Sequence, residues 1–152
     1  MNNEKQIEAL NTLIEINNDR IEGYTTAAKE AKETDLKMLF SENRDTSVKN
    51  KNELSNEVKK LGGKPIEDTR TTGKLYRAWM DIKAALVKED RKAIIGSCEF
   101  GEDIAVKTYN DVLKNEAEHL SPNLHKIINE QRIAVKSEHD KIRNLRDAMQ
   151  SK

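Results

Sequence analysis

The stretch Cys98–Val112, reading CEFGEDIAVKTYNDV, decides the fold. Its spacing predicts a helix whose inward stripe runs Ile95, Cys98, Glu102, Ala105, Tyr109, Val112. That stripe is apolar except at Glu102. A carboxylate on the buried face of a helix is either a polar contact that fixes helix register or a piece of a site, because an unpaired buried charge is too costly to keep. The rest of the chain is read for partners to it.

Upstream, residues 4–31 form one predicted helix with Ile7, Leu10, Ile14, Asn17, Ile21, Tyr24 and Ala28 inward, in alternating steps of three and four. Asn17 is the polar interruption, and Glu22 falls on a solvent-facing flank. A break at Glu33–Asp35, with Thr34 or Asp35 as the cap, starts a second helix that runs to about Leu61. Its inward stripe is apolar at both ends and polar in the middle, at Asn43, Ser47 and Asn50. Gly62, Gly63 and Pro65 end it. After a turn-rich loop at 64–72, a shorter helix at 72–87 carries Leu75, Trp79, Ile82 and Leu86. The Glu102 helix spans about 90–115. Ser121 and Pro122 open the last helix, 122–149, with Leu124, Ile128, Gln131, Val135, Glu138, Ile142 and Leu145 inward. No strand pattern or tight hairpin turn competes.

The expected architecture is therefore all-α, with four long helices in two antiparallel pairs within one domain, 1–152. The short helix lies in the connection between the pairs. At ~1.5 Å per residue it can return the chain from one end of a bundle to the other, so the second and third long helices can run parallel. Counted from one end of such a bundle, Asn17, Asn43, Ser47, Glu102 and Glu138 all fall in the middle third.

Composition narrows the function classes. Lys plus Arg and Asp plus Glu number 27 each, mixed along the chain, so neither nucleic acid nor an anionic membrane is an expected partner. One cysteine, Cys98, excludes an internal disulfide and fits a reducing, cytoplasmic compartment. No apolar run has the length of a membrane span. Nucleophile-elbow, phosphate-loop, dinucleotide and Cys-x-x-Cys signatures are all missing.

The order of helices, with the segments EGY at 22–24, LGG at 61–63, GEDIAVKTY at 101–109 and EHDKIRNLR at 138–146, resembles the ferritin-like superfamily. The opening Leu10-Asn11 followed by Tyr24 is similar to the first helix of bacterioferritins and rubrerythrins. The chain as a whole is similar to a bacterial family of ferritin-like four-helix bundles of unknown function. The resemblance implies a di-iron layer, in which two helices each give a Glu and two each give Glu-x-x-His. Here the first-helix position is Asn17. The second helix offers Asn43-x-x-Thr46 or Ser47-x-x-Asn50 and no histidine. The last offers Glu138 followed by Lys141. Only Glu102 and Glu138 remain of the expected carboxylates.

Two readings follow. In the first, Asn17, Tyr24, Asn43, Ser47, Glu102 and Glu138 form a buried polar layer in a non-catalytic bundle without cofactor, serving a stress-associated or interaction role. In the second, Glu102 and Glu138 bind iron in a di-iron oxidase or iron-handling protein. A shift of one position in helix phase would instead group Glu22, Glu42, Glu99 and His139 as ligands, at the expense of exposing Ile21, Tyr24 and Leu145. The resemblance also implies a homodimer. Cys98 reads as an inert buried thiol, and Trp79 as the anchor of the crossover.

Overall fold

The computed structural model describes residues 3–68 and 74–150. Among them the regular structure is entirely helical: α1 (Asn3–Glu30), α2 (Thr34–Lys60), α3 (Lys74–Val87), α4 (Arg91–Asn115) and α5 (Pro122–Gln150), with a 3-10 turn at Ala117–His119. The start of α3 expected at Thr72 lies outside the described residues.

Side-chain pairings fix the helix directions. Arg20 meets Ser47 and Tyr24 stacks on Phe40, so α1 and α2 form an antiparallel hairpin. Glu99 meets Arg146 and Tyr109 meets Gln131, so α4 and α5 form a second one. Between the hairpins, Asn17 meets Tyr109 and Arg20 meets Glu102, which sets α1 against the direction of α4. Hence α2 and α4 run the same way, as a long crossover allows.

The crossover is tied to α1 along its path. Asn11 accepts from the Ile66 amide at 3.0 Å and donates to the Lys64 carbonyl at 3.3 Å. Asn18 donates to the Asp68 carbonyl at 3.1 Å. These amides satisfy backbone groups that a loop lying on a helix could not otherwise pair. Then α3 packs along α1 and against α4, with the ring of Trp79 seated over Gly23 and edge-on to Tyr24, centroids 4.7 Å apart.

Helix ends follow local chemistry. Gly62 takes φ 83°, its amide bonds to the Lys59 carbonyl (3.0 Å), and the Gly63 amide bonds to the Val58 carbonyl (3.0 Å). That is the left-handed closing turn in which a glycine costs least. The same turn closes α3, but with Glu89 at φ 55°. Asp90 caps α4 through the Ala93 amide (3.2 Å), and Ser121 caps α5 through the Leu124 amide (3.2 Å). The expectation for α2 needs correction. Glu33 occupies its cap position, and its side chain makes no bond to the helix's first amides. Asp35, already inside the helix, is drawn to Arg91 at 2.7 Å, and that hydrogen bond holds its carboxyl below the usual range.

The apolar core falls into two clusters. One gathers Leu10, Leu13, Leu54, Val58, Tyr109, Leu124 and Ile128. The other gathers Tyr24, Phe40, Ile82, Ile95, Cys98 and Ile142. Polar residues of four helices separate them. Along α1, Leu10, Ile14, Asn17 and Tyr24 are buried as expected, while Ile7, Ile21 and Ala28 are only half-buried. Leu13, Arg20 and Ala27 are buried beside them, so Arg20 takes the inward place assigned to Ile21.

A Cβ built on Gly23 would fall inside the Trp79 indole. Gly23→Ala is expected to push Trp79 outward, red-shift the emission of the chain's sole tryptophan and cost about 1–3 kcal/mol in a denaturant titration.

Candidate functional site

Arg20 is 1% exposed and stands between the two clusters. Its Nη2 donates to Glu102 Oε1 at 2.9 Å, Glu102 Oε2 at 3.1 Å and Glu138 Oε1 at 2.9 Å. Its Nε donates again to Glu102 Oε1 at 3.2 Å, and Nη1 donates to Ser47 Oγ at 2.6 Å. The planar guanidinium thus binds one carboxylate along its edge and reaches the second with the same nitrogen, a geometry that a lysine could not reproduce.

The remaining lone pairs are filled by hydroxyls and an amide. Tyr24 donates its hydroxyl proton to Glu102 Oε1, and Thr46 donates to Glu138 Oε2 at 2.6 Å. Asn43, with its amide turned to suit its neighbours, donates to Glu138 Oε2 at 3.3 Å and to the Leu39 carbonyl at 3.2 Å. One turn along the bundle lies a second polar level. Asn17 donates to the Tyr109 hydroxyl (2.8 Å), which donates to Gln131 Oε1 (2.8 Å), and Gln131 donates to Glu53 (2.7 Å) at the surface. Asn17 therefore does not bond to either carboxylate of the Arg20 level.

Electrostatics follow from this packing. Burial by itself lowers the pKa of Arg20, but Glu102, Tyr24 and Glu138 outweigh it and hold the guanidinium above its ordinary value. Burial raises the Tyr24 hydroxyl, and the adjacent Glu102 raises it further. Tyr109 is raised too, again chiefly by burial. Glu138 lies at the edge of the layer, with its side chain 12% exposed. Burial lifts its carboxyl above the ordinary 4.5, against the pull of Arg20 and the Thr46 bond. Cys98 is buried one turn from Glu102, and burial followed by the Glu102 charge pushes its thiol well up, which leaves it a poor nucleophile.

Of the residues singled out from sequence, Tyr24, Asn43, Ser47, Glu102 and Glu138 converge here, while Asn17 belongs to the neighbouring level. The off-phase set does not gather. Glu22 and Glu42 are exposed on separate helices, and Glu99 pairs with Arg146 at 2.6 Å. His139 sits between Asp103 and Asp140 on the flank of α5. Lys141, three residues after Glu138, is exposed. Among the described residues, no three His, Cys, Asp or Glu side chains come together as metal ligands do.

Arg20 is the residue that sequence reasoning missed. Its signal was positional: three residues after Asn17 and four before Tyr24, it continues the buried stripe. Its charge argued against an inward place, because the hydropathy of one helix says nothing of carboxylates waiting on others.

The fold and site define an all-α helical bundle with a buried arginine–carboxylate layer. The chain belongs to the family described as a domain of unknown function (DUF2383), whose model matches residues 5–115. That span takes in Arg20, Tyr24, Ser47 and Glu102 and ends with α4, so Glu138 on α5 lies beyond it. No curated protein matches the chain.

Removing Arg20 would leave two largely buried carboxylates without their counter-charge. Arg20→Ala is expected to cost about 3–5 kcal/mol in urea unfolding at neutral pH, and most of the loss should return when Glu102→Gln and Glu138→Gln are added. Glu138 gives a separate pH signature. Its folded pKa is raised, so the native state binds more protons than the unfolded chain just above pH 4.5. Stability must then fall as pH rises from that value through the raised pKa, and level off beyond it. Urea midpoints measured across that window should show the fall in the wild type and a flatter profile in Glu138→Gln.

Proposed function

We propose that the chain is a ferritin-like bundle in which Arg20 stands as the fixed cation of the central layer, and that it acts as a non-catalytic scaffold or interaction module. One observation carries this reading: both oxygens of Glu102 and both of Glu138 already accept hydrogen bonds from Arg20, Tyr24 or Thr46.

The di-iron reading asks for a different donor set. Hard metal ions need free carboxylate oxygens and open positions, with imidazole in support. Here a guanidinium lies within hydrogen-bonding distance of both carboxylates, and a second cation beside it would be repelled. The residues do not fit a pair of irons. The layer is suited to specifying register, because a buried ionic group rejects alternative packings that an apolar core would tolerate. A cytoplasmic setting belongs to the same reading, supported by the lone buried thiol of Cys98.

Anaerobic loading with ferrous iron, followed by desalting and elemental analysis, tests the proposal. The wild type is expected to retain no stoichiometric iron, and its thermal midpoint should not move with Fe(II), Mn(II) or Zn(II). Stoichiometric iron held by the wild type and lost in Glu102→Ala would overturn it.

A further inference from the structure

Outside the layer, α1 and α3 run side by side and leave a cleft of about 240 Å³ between them. Its floor is apolar and aromatic, formed by Gly23 and Ala27 of α1 against Trp79 and Leu86 of α3. Tyr76 and Met80, 38% and 46% exposed, stand on the α3 wall. The α1 wall is acidic at both ends, with Asp19 and Glu22 at one and Glu30 at the other. Glu22 and Glu30 are eight residues apart on one helix, about 12 Å along its axis. Both are exposed, and neither forms an ion pair among the described residues. Lys83, on the opposite wall, is also exposed and likewise forms none.

The geometry points to a binding site for a linear aliphatic polyamine, with ammonium groups at Glu22 and Glu30 and the methylene chain lying over Trp79 and Met80. Carboxylate, apolar floor, carboxylate is the complement of ammonium, methylenes, ammonium. An aromatic wall adds cation–π attraction for an ammonium near it, and a methionine adapts to a flexible chain. Size separates this ligand from the rival occupant, a basic amphipathic helix. A cleft of about 240 Å³ with two exposed apolar side chains on its wall is thin for a helix, since a specific protein interface buries roughly 1,200–2,000 Å². Two uncompensated acids also disfavour an anionic ligand. Lys83 lines the α3 wall and is exposed, and its long stem can turn the ammonium out of the cleft into solvent.

Trp79 supplies the reporter. The wild-type protein would be titrated at low ionic strength with spermidine, with butylamine, with magnesium chloride at matched ionic strength, and with a basic amphipathic peptide. Binding is read by calorimetry and by Trp79 emission. Spermidine is expected to give saturable heat and a saturable emission change, with no saturation for butylamine or magnesium. Glu22→Gln or Glu30→Gln, both at solvent-facing positions, should weaken spermidine about fivefold each, and the double variant more, with unchanged circular dichroism. The proposal is overturned by an absence of saturable heat with spermidine, by an equal response to magnesium, by a double variant that binds as the wild type does, or by binding of the peptide alone.

Discussion

Everything in the interior is arranged around one charge-assisted contact, the Arg20 guanidinium against the carboxylates of Glu102 and Glu138. Desolvating three ionic groups costs several kcal/mol each, and the layer tolerates this only because each charge is matched by donors or acceptors of good geometry. That requirement fixes the neighbours. Ser47 must accept from Nη1, Thr46 must serve Glu138, and Tyr24 must turn its hydroxyl to Glu102. Each comes from a helix held at one rotation and one height. A slide of one turn by any of the four long helices would strand a charge, whereas the two apolar clusters on either side would survive such a slide with modest loss.

The general plan could be read from the sequence because it rests on local signals. Helix positions followed from three–four spacing, and the stop at Gly62 and the start at Ser121 from caps that need only their own neighbours. The crossover followed from the length of α3. The burial of Glu102 was readable too, since every other member of its stripe is apolar. Arg20 was not, and the reason is physical. Within α1 alone, placing Ile21 inward is cheaper than placing an arginine there. The balance reverses only when two acids on α4 and α5 are counted, and nothing in the α1 sequence announces them. The same blindness put Asn17 with the carboxylates rather than with Tyr109 and Gln131, because counting residues from helix ends cannot resolve one turn from the next.

The second polar level has a different character. Asn17, Tyr109 and Gln131 form a neutral chain that ends at Glu53 on the surface. It carries no desolvated charge, so its partners can be exchanged more cheaply than those of Arg20. The bundle thus combines a costly ionic layer, which defines how the two hairpins meet, with a milder hydrogen-bonded one that fills space around a bulky tyrosine. On the outside, asparagines at positions 11 and 18 tie the crossover to α1, and Gly23 leaves room for Trp79, so α3 lies close against the α1 hairpin.

The partners of Arg20 are far apart along the chain, 82 residues for Glu102 and 118 for Glu138. Each hairpin can close on local contacts, but the ionic cluster cannot exist until the two have met and α5 has arrived. Water must leave three charges at that moment, as the two apolar clusters close on either side of them. The layer therefore belongs to the late side of the folding barrier. A chain with an apolar trio in its place should dock its hairpins faster and distinguish less well between the right seating and its neighbours, so the cluster trades speed of assembly for a single outcome.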